Sequence, residues 1–213
     1  MSELRIVSVV DAPWDDVRTV FGTRGDPARC WCQFFKTDAA AWKQQGAAAF
    51  EGALCEQVDA ARASHSAGPG VLAYLGSGLE PGSGSESWEP VGWAAVEPRS
   101  AYPLILRGRA IAGSIDPVDG ADAASVWAIT CFVVRVGFRR RGVAGALLSG
   151  AVAEARRGGA RVVEAYPVDT AGEKVSSADL YHGPLSAFLA AGFEISGRPL
   201  DGRAVVRLAL SGS

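Results

Sequence analysis

Hydrophobic and polar positions alternate most legibly between Ser125 and Gly159. From Val126 to Val134 the chain is β-branched or apolar almost throughout and carries no charge, which predicts a strand. A basic turn follows, in which Arg139, Arg140 and Arg141 lead into Gly142, Val143, Ala144 and Gly145. Beyond it Val143, Leu147, Leu148, Ala151, Val152 and Ala155 recur at intervals of four and one, which places them on one face of a helix. Arg156 and Arg157 fall in its last turn, where positive charge suits the helix dipole, and Gly158 and Gly159 stop it.

The same pattern divides the rest of the chain. Arg5 to Val10 predicts a first strand; Asp11 can cap the next helix, with Pro13 in its first turn and Trp14, Val17 and Phe21 on one face. Gly25, Asp26 and Pro27 make Thr23 to Lys36 a loop, yet Trp31, Phe34 and Phe35 require it to pack over the core or a substrate pocket, with the core the better fit. Asp38 to Ser64 is helical, with Trp42, Phe50, Leu54 and Val58 inward and a break expected at Gly46. Val71 to Leu75 and Pro90 to Val96 read as two strands around a Gly/Ser-rich hairpin loop. Arg99 to Gly120 is irregular, with extended pieces around Leu104 to Leu106. Arg161 to Val168 predicts a strand, Asp169 to His182 a polar loop, and Leu185 to Ala191 a short helix ended by Gly192. Phe193 to Ser196 and Ala204 to Leu210 close the chain as paired strands, turned by Pro199, Asp201 and Gly202. No repeat and no separating linker appears, so residues 1–213 are expected to form one domain, in sections 1–70, 71–160 and 161–213.

Composition narrows the class. A net charge of −2 gives no global field favouring nucleic acid or an anionic membrane. No apolar run is long enough to span a bilayer, and the first residues lack the flanks of a secretion signal, so a cytoplasmic protein is expected. Cys30 and Cys32 are spaced C-x-C, with Cys55 and Cys131 elsewhere; neither a zinc site nor a disulfide framework is supported, and all four read as buried thiols.

Against that neutral background the Arg/Gly turn stands out. Small residues let backbone N–H groups approach a ligand, and the first turn of a helix has unpaired N–H groups and a partial positive charge. Together they favour a phosphate. Arg139-x-x-Gly142-x-Ala144, between a hydrophobic strand and an amphipathic helix, resembles the R/Q-x-x-G-x-G/A signature of the GNAT superfamily of acyl-CoA-dependent N-acyltransferases. The likeness covers most of the element order and is specific from Ser125 to Ile195. It implies an α/β domain with a mixed, mostly antiparallel twisted sheet of about seven strands, flanked by helices and splayed between the fourth and fifth strands. It further implies acetyl-CoA as cosubstrate without a metal. Phe132, Val133 and Val134 would pair with the pantetheine arm. The diphosphate would sit on the N–H groups from Arg140 through Arg141, Gly142, Val143 and Ala144 to Gly145, with Arg139 or Arg140 reaching phosphate oxygens.

The implied reaction is transfer of an acetyl group to a primary amine of a small molecule or protein by direct attack. The amine must lose a proton, and the carbonyl and the leaving thiolate need hydrogen-bond donors. Here the chain departs from the family pattern: Ala128 stands where many members have Glu, and Phe188 where many have Tyr. Three other side chains become candidates. Glu164 could point into the cleft or lie on the solvent face of an edge; Tyr166 shares its face; Tyr181 could reach the thiol after a bend at Gly183 and Pro184. The steps around Tyr181 and Gly183 also resemble a bacterial subgroup of the family, which implies a shared structural role for the two. His182 stands alone and reads as structural or solvated, and Cys131 as buried and inert. Trp31 to Phe35, with Trp127 and Trp88 or Trp93, point to a partly apolar acceptor pocket. The partners implied are acetyl-CoA and an amine, with no nucleic acid and no membrane; a homodimer is left open. The missing Glu and Tyr keep a second reading, a non-catalytic acyl-CoA-binding regulatory module. A nucleic-acid-binding βα domain rests on the Arg run alone, and the overall charge opposes it.

Overall fold

The uncharged run Val126–Val134 forms a strand over those same residues and lies at the middle of the sheet. In the computed structural model, residues 3–79, 86–107, 111, 113–115, 120–170 and 179–210 are described. Seven strands run β1 Leu4–Ser8, β2 Gly70–Leu79, β3 Glu86–Pro98, β4 Val126–Val134, β5 Val162–Ala165, β6 Glu194–Leu200 and β7 Arg203–Ala209. Their order in the sheet is β1-β2-β3-β4-β5-β7-β6. Every neighbouring pair is antiparallel except β4 and β5. A parallel pair needs a crossover, and the amphipathic helix of Val143–Arg157 supplies it.

Among the described residues, these helices flank the sheet: α1 Trp14–Phe21, α2 Gly25–Cys30, α3 Ala39–Gln44, α4 Ala47–Ala63, α5 Pro103–Arg107, α6 Val143–Arg157 and α7 Leu185–Ala190. The apolar stripe of α6 (Val143, Leu147, Leu148, Ala151, Ala155) packs on one face of the sheet, with Phe188 and Phe193 in the same core. On the other face α1 and α4 bury Val17, Phe21, Phe50, Leu54 and Val58 against Leu72 and Trp93. The break between α3 and α4 falls at Gly46, as its poor helix propensity predicts. Asp38 caps α3, its Oδ1 accepting from the N–H groups of Ala40 (2.9 Å) and Ala41 (2.8 Å).

Several boundaries differ from expectation. β1 stops at Ser8, and Val9–Asp11 coils into a 3-10 turn that sends Val9 into the core. Asp11 does not cap α1; Pro13 occupies that position with no side-chain bond. Thr23 to Lys36 is not all loop, because α2 lies inside it. Leu104 to Leu106 is helical rather than extended, an ambiguity inherent in short apolar runs. Pro199 lies within β6, not in the turn, and an edge strand tolerates it. The tip of the Gly/Ser-rich hairpin (80–85), parts of 108–119 and the middle of the 169–182 loop (171–178) lie outside the described residues.

Candidate active site

The site begins where β4 and β5 part. Their pairing runs from Val126 opposite Val162 to Ile129 opposite Ala165 and stops there. β4 continues to Val134 with β3 as its only strand partner among the described residues, Cys131 opposite Ala95 and Val133 opposite Trp93. The carbonyls of Thr130 and Val134 on the open edge accept from side chains: His182 Nδ1 at 2.8 Å and Arg139 Nε at 3.3 Å. By the two-residue alternation of a strand, the N–H and C=O of Phe132 face the same edge, where the ladder gives them no partner.

That edge runs into the basic turn. A 3-10 turn over Val136–Phe138 leads to Arg140 at φ +61° and Gly142 at φ +79°. Left-handed residues interleaved with ordinary ones turn successive N–H groups toward one side, forming a concavity that suits anions. The N–H of Ala146 reaches back to the Gly142 carbonyl at 3.0 Å, so the N–H groups of the turn before it precede the α6 ladder, and Gly142 caps α6 without a side-chain bond. A Cβ added at Gly145 would meet no atom within 4 Å, so the space above that turn is open. Phe138 braces the loop, with the Arg135 and Arg141 guanidinium carbons 5.1 and 5.5 Å from its ring centroid.

Two cavities lie on opposite faces of the freed half of β4. On one face a groove of about 290 Å³ runs from Gly142, Ala144 and Gly145 past Val134 and Phe132 to Tyr181. On the other face a cavity of about 160 Å³ is walled by Thr130, Cys131 and Val133 of the strand and by Cys30, Phe34 and Phe35 from the aromatic segment. Strand alternation explains the division, since Phe132 and Val134 point one way and Cys131 and Val133 the other. Tyr181 lines both spaces, at the point where β5 no longer separates them.

Tyr181 owes its place to a tight local structure. It sits in a 3-10 turn, Asp179–His182, closed by the N–H of Gly183 donating to the Leu180 carbonyl at 2.9 Å. Gly183 adopts φ +75°, and a Cβ there would come within 2.9 Å of the Phe188 ring, so both conformation and space demand glycine. Burial, and then the nearby Asp26 carboxylate, raise the Tyr181 hydroxyl above its ordinary pKa, so it remains protonated at neutral pH. His182 beside it also lines the smaller cavity, and burial lowers its pKa from the ordinary value.

The other two candidate side chains lie elsewhere. Glu164 neither points into the cleft nor lies on a solvent face; it is fully buried. β5 is not an edge, because β7 covers its other side and sets Arg207 opposite Glu164. Arg99 Nη1 donates to both carboxylate oxygens (2.8 and 3.0 Å), Arg207 Nε lies 3.1 Å from Oε1, and the Tyr166 hydroxyl donates to Oε2 at 3.1 Å. Tyr166 is held there, also outside both cavities, and burial and Glu164 push its pKa well up. Ala128 is buried between Glu97 and Glu164 on the flanking strands. Phe188 lines the groove, packed edge-on to Phe132 and Phe193.

The aromatic segment divides its duties. Trp31 is buried, stacked on Phe21 with centroids 4.6 Å apart, whereas Phe34 and Phe35 line the cavity. Trp93 and Trp127 belong to the core and do not reach the cavity, contrary to expectation. Of the thiols, Cys32 is buried, but Cys30 and Cys131 are only partly so and form cavity wall. Asp26, Thr130 and Cys131 also form cavity wall, and the sequence signals this through the aromatic content of the segment that faces them.

The model of the acetyltransferase (GNAT) family matches residues 74–182, and the chain belongs to that family. No curated protein matches the sequence. Solved structures similar to it include the ribosomal-protein-alanine N-acetyltransferase from Brucella melitensis, at 15% identity and a TM-score of 0.49, covering 97% of this chain and 99% of that one. The yncA protein of Salmonella typhimurium, solved with acetyl-CoA, has 14% identity and a TM-score of 0.47, covering 100% and 95%. The GNAT domain of PAT from S. lividans has 17% identity and a TM-score of 0.45, covering 98% and 90%.

Proposed function

We propose that the protein transfers the acetyl group of acetyl-CoA to a primary amine by direct attack. The observation that carries this reading is the open edge of β4 running without interruption into the left-handed turn at Arg140 and Gly142 and the first turn of α6. An extended amide-bearing arm can add to that edge as a strand would, through the N–H and C=O of Phe132 and beside Val133 and Val134. A diphosphate fits the N–H groups of Arg140, Arg141, Gly142, Val143, Ala144 and Gly145, with Arg139 and Arg140 near its oxygens. The amine then approaches from the smaller cavity on the far face of the strand.

Tyr181 belongs at the meeting point, where it donates a hydrogen bond to the departing sulfur and lends it a proton. Its raised pKa keeps that proton available through neutral pH. Glu164 and Tyr166 are assigned a positioning role: they join β5, β7 and the chain after β3 beneath the splay. The positions held by Ala128 and Phe188 favour a second reading, a module that binds acyl-CoA without turning it over. Release of free thiol from acetyl-CoA across a panel of amines separates the two.

The binding half is tested by Gly145→Glu. This residue has ordinary helical geometry and open space beside it, and an acidic group is favourable in a first helical turn. The variant should fold with an unchanged melting temperature yet show no calorimetric heat with acetyl-CoA. Unaltered binding would overturn the assignment of the groove.

A further inference from the structure

Resting on the acetyl-transfer reading, we propose that His182 is the base that takes a proton from a primary amine, and that the amine is held by its apolar group in the cavity between Cys131 and Phe35. The geometry settles the tautomer. Nδ1 lies 2.8 Å from the Thr130 carbonyl, and a carbonyl can only accept, so Nδ1 carries the hydrogen. The lone pair is therefore on Nε2. No described side chain bonds to Nε2, and it is not among the sealed, unpartnered atoms of the interior. The ring itself lines the cavity. A hydrogen bond that fixes one nitrogen and leaves the other an acceptor, on a ring that lines a substrate-sized space, is the arrangement a base requires.

The walls define the acceptor. Phe34, Phe35, Cys131 and Val133 present carbon and sulfur, and the 160 Å³ volume suits an aromatic ring or a branched aliphatic group rather than an extended polar chain. Asp26 is the one carboxylate among the described lining residues, placed to attract an ammonium group. The titratable and charged groups around the imidazole are Tyr181 beside it, Cys131 on β4, Asp26, Cys30 and Cys32 from the segment before the aromatic pair, and Arg203 on β7. Burial keeps the ring neutral, assisted by the Arg203 charge, while its bond to Thr130 works the other way. The same apolar surroundings lower the pKa of a bound ammonium, which narrows the gap the proton must cross.

The proton and electron count closes. Nε2 removes one proton from the ammonium and frees the nitrogen lone pair. The N–C bond forms as the thioester C–S bond breaks, with the electron pair leaving on sulfur. Tyr181 gives its proton to that sulfur and is reprotonated by the second proton of the new amide nitrogen. The imidazolium then releases its proton to solvent.

The test is His182→Asn, whose Nδ2 can replace Nδ1–H at the Thr130 carbonyl while removing the basic nitrogen. With 2-phenylethylamine as probe and ethanolamine as polar control, kcat should fall about 100-fold while the acetyl-CoA dissociation constant stays within twofold. The unchanged protein should show a limb in kcat/KM below pH 6.5, absent in the variant, and should prefer 2-phenylethylamine at least tenfold. The limb in the unchanged protein is readable even if the variant fails to fold. A variant within threefold of the unchanged rate, a profile lacking that limb, or equal use of the two amines would overturn the proposal. So would acetyl-CoA binding with turnover of neither amine. Loss of acetyl-CoA binding in the unchanged protein would instead defeat the acetyl-transfer reading itself.

Discussion

Tyr181 and Glu164 show how differently two candidates can fare. Both were reasonable from the sequence, one before a Gly-Pro bend and one in the middle of a strand. What separates their surroundings is tertiary: Arg99 lies 65 residues from Glu164 in sequence yet donates to both its oxygens. No local pattern could reveal that. Replacing Glu164 by Gln removes the carboxylate that Arg99 faces in the interior, and stability should fall by about 3 to 5 kcal/mol. Urea unfolding would measure this, while acetyl-CoA affinity of the folded protein should be unchanged. Tyr181→Phe should do the reverse, leaving the urea midpoint almost unmoved and lowering kcat about 100-fold. A raised tyrosine pKa means the acid form persists to higher pH, so the alkaline limb due to Tyr181 should lie above pH 10, the ordinary value. A limb well below pH 10 that vanishes in the Phe variant would contradict its assignment.

Among the elements, β4 and α6 are the ones whose bounds the pattern predicts most closely, because each combines length with an unbroken period. The turn between them was legible for a different reason. Its glycine answers a backbone need: at φ +79° Gly142 has room for a Cβ, so conformation rather than crowding selects it. Gly142→Ala should therefore cost about 1 to 2 kcal/mol in thermal or urea unfolding without filling the groove. The aromatic segment was only half legible. Its ring content announced that it packs on something, but the surface it meets is about a hundred residues away on β4. Short elements resisted in general, since α2 and α5 are too brief for periodicity to separate helix from loop or strand.

Across the whole molecule, the fold turns one strand into a partition. Where β4 is paired on both edges it is core; where β5 ends, its two faces open onto two cavities that Tyr181 joins. The sequence order β-α-β conveyed the crossover and the family resemblance implied the splay, but neither showed that the second face of the strand would line a cavity. Because the groove exists only in the folded chain, a ligand there stabilises it by mass action. Acetyl-CoA at a hundred times its dissociation constant adds about 2.7 kcal/mol, which for a chain of this size raises the melting temperature by roughly 5 to 10 °C. Gly145→Glu should abolish that rise.

The most direct measurement is a crystal structure of the protein soaked with acetyl-CoA. The account predicts the diphosphate on the N–H groups of Arg140 to Gly145, the pantetheine amides paired with Phe132, and the thioester sulfur within about 3 Å of the Tyr181 hydroxyl. A cosubstrate bound elsewhere, or a thioester that ends away from Tyr181 with the two cavities unconnected, would contradict it.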